Sequence, residues 1–221
     1  MKARCSSYLA DRDWNALLKL KLPGRGMQLM TKIENALLFA TKAHAGKYRK
    51  GTDRPYIIHP IEVMSIVMHF TDDEDVLTAA VLHDTVEDTA VTIQRVEKEF
   101  GSRVAELVAS VTEDKKRKLP PEATWRARKW EMLFRMKKAE WDVRIVWFAD
   151  CLSNIRDIKM DYDRIGDDLW ERFDQKDKEL QSWYYRETVK LLDDYYFEDD
   201  DLFRDYADLV FTVFGHGSKS V

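Results

Sequence analysis

The chain is poor in the features that would mark it as secreted, membrane-spanning or nucleic-acid-binding. Only two of its 221 residues are cysteine, Cys5 and Cys151, and they lie far apart in sequence, so neither a disulfide framework nor a thiolate zinc site can be argued. No apolar run approaches the roughly 20 residues that span a bilayer. No apolar stretch follows Met1-Lys2-Ala3-Arg4, so a secretory leader is not expected and a cytoplasmic protein is the simplest expectation. The net charge of −4 lacks the basic excess of a general nucleic-acid binder, so any site for an anionic ligand must be local. Five prolines and eight glycines leave few turns, and strand-like alternation is weak nearly everywhere.

What is present is helical spacing. With 45% hydrophobic and 34% charged residues, the chain can bury a core beneath a charged surface. Ile33, Leu37, Ala40 and Ala43/His44 share one face of a first helix. Pro60 fits the first turn of a second, which carries Ile61, Met64, Ile66, Val67 and Met68. Asp72 and Asp73 open a third, through Val76, Leu77, Ala80 and Val81. Thr92 and Ser102 start the next two. Pro120-Pro121 follows the basic run Lys115-Lys116-Arg117-Lys118, and helices are predicted near 122–139, 141–159 and 176–193. Leu202, Phe203, Tyr206, Leu209, Val210 and Val213 form one face of a docking helix. We therefore expect an all-α helical bundle, divided into an N-terminal extension (1–26), a main domain (27–195) and a C-terminal helix packed on it (196–221).

Histidine is scarce, with five in all, and two stand in unusual places. His59 precedes Pro60 and is expected to enter from the loop before its helix. His83 ends the apolar run Ala79-Ala80-Val81-Leu82 and is followed by Asp84, Glu87 and Asp88. On a continuous helix His83 would share a face with Glu87, and Asp84 with Asp88. Farther on, Asp150 sits among Val146, Trp147, Phe148, Ala149, Leu152 and Ile155, and a carboxylate in such a helix needs a cation. Asn154 lies one turn beyond. Two imidazoles and two carboxylates without a thiolate suit manganese, iron or zinc that keeps bound water. Each feature has an ordinary explanation: Asp150 could pair with Arg144 or Arg156, and Glu87-Asp88 could be an acidic helix end. The order His, then His-Asp, then Asp is much more specific.

That order, with its surroundings, resembles the HD-type hydrolase domain of RelA/SpoT homologues. The similar segments are Ala43-His44-Ala45-Gly46-Lys47-Tyr48-Arg49-Lys50-Gly51 with Pro55-Tyr56-Ile57-Ile58-His59-Pro60, and Leu82-His83-Asp84-Thr85-Val86-Glu87-Asp88-Thr89. Phe100-Gly101, Val111-Thr112-Glu113-Asp114-Lys115, Trp125-Arg126-Ala127-Arg128-Lys129 and Ala149-Asp150-Cys151-Leu152-Ser153-Asn154-Ile155-Arg156 follow in register. The resemblance implies an HD-domain phosphohydrolase bundle in which His59, His83, Asp84 and Asp150 bind Mn2+. It implies that Glu87 and Asp88 position or deprotonate the attacking water. Arg49 would stack on the base with Lys50 nearby, and Asn154 would contact the ribose. The implied substrate is the small nucleotide ppGpp or pppGpp, hydrolysed at the 3′-pyrophosphate to GDP or GTP and pyrophosphate, with no nucleic-acid or membrane partner. A (p)ppApp hydrolase or a catalytically silent nucleotide-binding module are the alternatives. The chain leaves no room for the synthetase and regulatory domains of long homologues, so a stand-alone hydrolase is expected. It departs from the family at Cys151, usually Lys or Arg, and at Trp147-Phe148, commonly Lys-Leu.

His44 is expected to be a hydrogen-bonded structural histidine. The Lys115–Lys118 run is expected to be a solvated loop, with attraction of an anionic nucleotide as its second reading. Trp183, Tyr184 and Tyr185 are expected in the core.

Overall fold

The computed structural model of the chain describes residues 30–116, 118–194 and 201–215. The extension 1–26, both expected domain boundaries and His216 lie outside them, and the described residues from Lys32 onward belong to one compact unit. Among the described residues the regular elements are helical, and the single β contact is an isolated bridge between Tyr48 and Pro55. The all-α expectation holds.

The helices are α1 (Lys32–Ala43), α2 (Ile58–Val67), α3 (Glu74–Leu82), α4 (Thr85–Asp88), α5 (Ile93–Phe100), α6 (Ser102–Val111), α7 (Pro121–Met136), α8 (Trp141–Ile165), α9 (Lys178–Asp193) and α10 (Asp201–Phe214), with a 3-10 turn at Gly166–Arg172 between α8 and α9. Local chemistry sets their ends. Asp73 caps α3 by accepting from the N–H groups of Asp75 and Val76, Thr92 caps α5 through Arg95, and Asp177 caps α9. Helix α8 runs six residues past its expected end at 159 and stops where Gly166 takes φ +58°, a conformation that costs glycine little.

Two helices form the centre. Every residue of α3 from Val76 to Leu82 is buried. Helix α8 buries Val143, Ile145–Ala149, Leu152, Ile155 and Ile158. A helix that is apolar on nearly all sides must be enclosed. Accordingly α1, α2 and α6 pack on α3, while α2, α6 and α10 pack on α8. Phe148 and Tyr206, both fully buried, meet edge to face at 5.9 Å and fix the C-terminal helix to α8.

Two local expectations are corrected. His59 does not enter from a loop; it is the second residue of α2. The N–H groups of a first helical turn need no intrahelical partner, so Pro60 is tolerated there and the helix begins before it. Nor do His83 to Asp88 continue one helix. Helix α3 ends at Leu82, and a new turn begins at Thr85 after Asp84 at φ −92°, ψ −7°.

Candidate functional site

The break after α3 has a chemical result. On an unbroken helix neighbouring side chains diverge by about 100°, yet here Asp84 Oδ2 returns to 3.2 Å from His83 Nε2. His59 from α2 and Asp150 from α8 complete the group. His59 Nε2 lies 3.3 Å from His83 Nε2, 3.4 Å from Asp84 Oδ2 and 3.1 Å from Asp150 Oδ1. Asp150 Oδ1 is 3.7 Å from His83 Nε2. Donors placed about 2.1 Å from one ion are separated by about 3.0 Å in octahedral and 3.4 Å in tetrahedral geometry. His59, His83 and Asp150 therefore converge at metal-ligand spacing, and Asp84 Oδ2 stands within 3.4 Å of both imidazole nitrogens.

Their protonation fits a cation. His83 Nδ1 lies 2.8 Å from the Ala80 carbonyl, which can only accept, so Nδ1 keeps its hydrogen and Nε2 is the nitrogen that meets a proton or a cation at the cluster. Burial would raise the carboxyl pKa of Asp84 and Asp150, but the two imidazoles outweigh it and hold both below the ordinary carboxylate range. Burial would lower the pKa of His83, yet Asp84 and Asp150 raise it well above the usual imidazole value. The cluster thus favours added positive charge, and a divalent ion fits its donor set.

Glu87 and Asp88 stand beside it. Glu87 Oε2 accepts from the Glu113 N–H at 2.9 Å, and burial followed by the nearby Asp84 charge pushes its pKa up to about 7. Asp88 pairs with Lys115, and its Oδ2 lies 3.1 Å from the Tyr56 hydroxyl. Lys115 is thus drawn into the site, whereas Lys116 pairs with Glu131 at 2.5 Å. The solvated-loop expectation fails at Lys115 because two carboxylates face it.

The other wall of the cleft carries the remaining predicted residues. Arg49 is not a free loop arginine. Its Nε bonds Asp157 Oδ2 at 2.6 Å, its Nη2 donates to Asn154 Oδ1 at 2.8 Å, and its guanidinium lies 5.7 Å from the Tyr56 ring centroid. Asn154 in turn donates to Asp150 Oδ1 at 2.6 Å, linking Arg49 to the cluster. Lys50 stays exposed, 3.9 Å from Asp174 and 5.5 Å from the Phe173 ring. The loop that carries them is tied down at Arg54, which bonds Asp157 at 2.7 Å. At its tip Gly51 (φ +69°) lies so close to Arg172 that a Cβ would come within 2.4 Å of that side chain. The two walls enclose a cleft of about 520 Å³.

Sequence reasoning missed several participants. Tyr56 donates to Asp84 Oδ2 at 2.5 Å, and burial keeps its phenol protonated. Asp157 organises both loop arginines; its signal was its place one turn past Asn154 on α8. Glu113 is buried between Arg128 and Lys129. Cys151 points toward Tyr184 with Sγ 3.7 Å from its hydroxyl, and burial pushes its thiol pKa up. Tyr184 and Tyr185 are buried as expected and also line the cleft. His44 is buried but not hydrogen-bonded as expected. Among the described residues neither ring nitrogen has a partner; the ring stacks on Tyr56 at 4.7 Å, and burial lowers its pKa. Arg156, an ordinary partner considered for Asp150, pairs instead with Glu62 and Asp205.

Comparison with known proteins agrees with this arrangement. A profile of the HD domain matches residues 36–177. A guanosine-3′,5′-bis(diphosphate) 3′-pyrophosphohydrolase of Aquifex aeolicus is 34% identical over 136 residues, covering 62% of this chain and 19% of that protein. The chain thus spans about a fifth of the length of such bacterial relatives. The enzyme of that name designated MESH1 in Xenopus tropicalis is 39% identical over 130 residues, 58% of this chain and 69% of that one. A solved metazoan orthologue of SpoT, described as hydrolysing ppGpp, superposes with a TM-score of 0.64 at 28% identity, covering 84% of this chain and 96% of that one.

Proposed function

Since the chain belongs to the HD-domain family and is a homologue of the MESH1- and SpoT-type hydrolases, we propose that it is a manganese-dependent 3′-pyrophosphohydrolase of (p)ppGpp, releasing pyrophosphate and GDP or GTP. The observation that carries this reading is the convergence of His59, His83 and Asp150, with Asp84 against both imidazoles, beside two further carboxylates in one cleft. His59, His83, Asp84 and Asp150 would hold the ion. When bound, it supplies Lewis-acid polarisation of the phosphate and lowers the pKa of water.

The chain's own residues account for the rest. With a pKa near 7, Glu87 can accept a proton from water at neutral pH and release it again. Asp88 is oriented by Lys115 and Tyr56 and acts beside it. Arg49 offers its guanidinium face to the purine, held flat by Asp157 and Asn154. Asn154 has its amide next to the ion site, where a ribose hydroxyl can reach it. Lys50, exposed at the rim, and Lys115 meet the anionic phosphates.

The direct test is a substrate panel of phosphorylated guanine and adenine nucleotides with purified protein, following pyrophosphate release. The expected result is manganese-dependent pyrophosphate from ppGpp. Nucleotide binding without release would leave a binding module instead.

A further inference from the structure

The two histidines of the cluster are held in different ways. His83 uses the backbone carbonyl of Ala80, which no substitution removes. His59 uses side chains. Its Nδ1 lies 2.9 Å from Ser153 Oγ, and that hydroxyl lies 2.9 Å from Glu62 Oε2. Glu62 also meets Arg156 at 3.4 Å, and Arg156 is held at 2.7 Å by Asp205 of α10. Ser153 and His59 are buried, so no bulk water competes for their hydrogens.

A serine hydroxyl has one hydrogen. A carboxylate can only accept, so that hydrogen goes to Glu62, and the Ser153 lone pair must take the Nδ1–H of His59. The Nε2 of His59 is then left with its lone pair directed at Asp84, Asp150 and His83. From this chain of bonds we infer that Ser153 and Glu62 are positioning residues for metal binding: they fix the tautomer and ring orientation of His59, and Arg156 with Asp205 holds Glu62 in place. The inference rests on the metal-site reading above and deepens it. It gives one face of α8 two tasks, with Asp150 offering a ligand and Ser153, three residues on, orienting another. It also connects the C-terminal helix to His59 through three side chains, Arg156, Glu62 and Ser153.

Outer partners of this kind typically change metal affinity about 10–100-fold when removed. The test is Mn2+ binding to metal-stripped protein by calorimetry, with helix content checked by circular dichroism. Ser153→Ala is expected to weaken binding by about 10–100-fold. Glu62→Gln should weaken it less, since an amide oxygen still accepts, and Ser153→Thr, which restores the hydroxyl, should recover most of the loss. A second readout follows the hydrogen itself. In Zn2+-loaded protein, proton spectra should show a slowly exchanging Nδ1–H for His59 in the unmodified chain and a fast-exchanging one in Ser153→Ala. Binding by Ser153→Ala within twofold of the unmodified chain, or an unchanged exchange rate, would overturn the inference. If the unmodified chain bound neither Mn2+ nor Zn2+, the metal reading itself would fall, and the inference with it.

Discussion

His59, His83, Asp84 and Asp150 stand on or beside helices whose apolar residues form the centre of the bundle. Arg49 and Lys50 stand on a loop that reaches the same cleft and is fastened to α8 by ion pairs. The metal wall is set by packing, and its donors cannot move without repacking α2, α3 and α8. The wall proposed to take the nucleotide is set by charge, through Asp157 and Asn154. Substitutions on the first wall should therefore remove chemistry, and those on the second should change binding.

The largest effect is expected for Asp150→Asn, which removes a charged donor from the cluster. Mn2+ content and turnover should both fall to background, and retained metal with full turnover would break the distinction. Next is Glu87→Gln combined with Asp88→Asn. Turnover should drop by about 10²–10⁴-fold with metal content nearly unchanged, since in the proposed reaction these groups act on water rather than on the ion. Metal analysis of that variant separates the two roles.

A pH profile sharpens the same wall. In the proposed reaction Glu87 acts in its ionised form, and with its pKa pushed up to about 7, kcat/KM should fall as pH drops below about 7, close to tenfold per unit. The single variant Glu87→Gln should lose that acid limb; an unchanged limb would assign it to another group.

On the nucleotide wall, Arg49→Ala should raise KM more than it lowers kcat, by about 1–2 kcal/mol. Arg49→Lys should restore little, since an ammonium cannot stack as a planar fork does. Asp157→Asn should move KM the same way by a smaller amount, as it frees Arg49 and Arg54 without removing them. The smallest effect concerns Cys151, which is buried and has a raised thiol pKa. In a Cys5→Ser background it should resist iodoacetamide at pH 8 until the protein is unfolded; rapid labelling of the folded chain would show that the wall opens.

The two walls were also unequally legible in the sequence. Asp150 in an apolar helix and the polar ending of a buried one at His83 are local contradictions that demand a cation, and they were readable directly. The break at Asp84 was not, because nothing in Thr85-Val86-Glu87-Asp88 opposes a continuous helix; tertiary pairing of Asp84 with His59 and Tyr56 decides it. Arg49 was placed correctly near the site but its tether was invisible, since Asp157 lies 108 residues away. The unpartnered nitrogens of His44 were likewise unreadable, because its stacking on Tyr56 depends on how the loop after α1 folds back.

The central claim is that one ion held by His59, His83, Asp84 and Asp150 makes this cleft hydrolytic. Metal-stripped protein titrated with Mn2+, with bound ion and pyrophosphate release from ppGpp measured on the same samples, tests it most directly. The expected result is a rate that rises in proportion to occupancy and saturates at one ion per chain. Full pyrophosphate release from the stripped protein, or saturation of binding with no release, would contradict it.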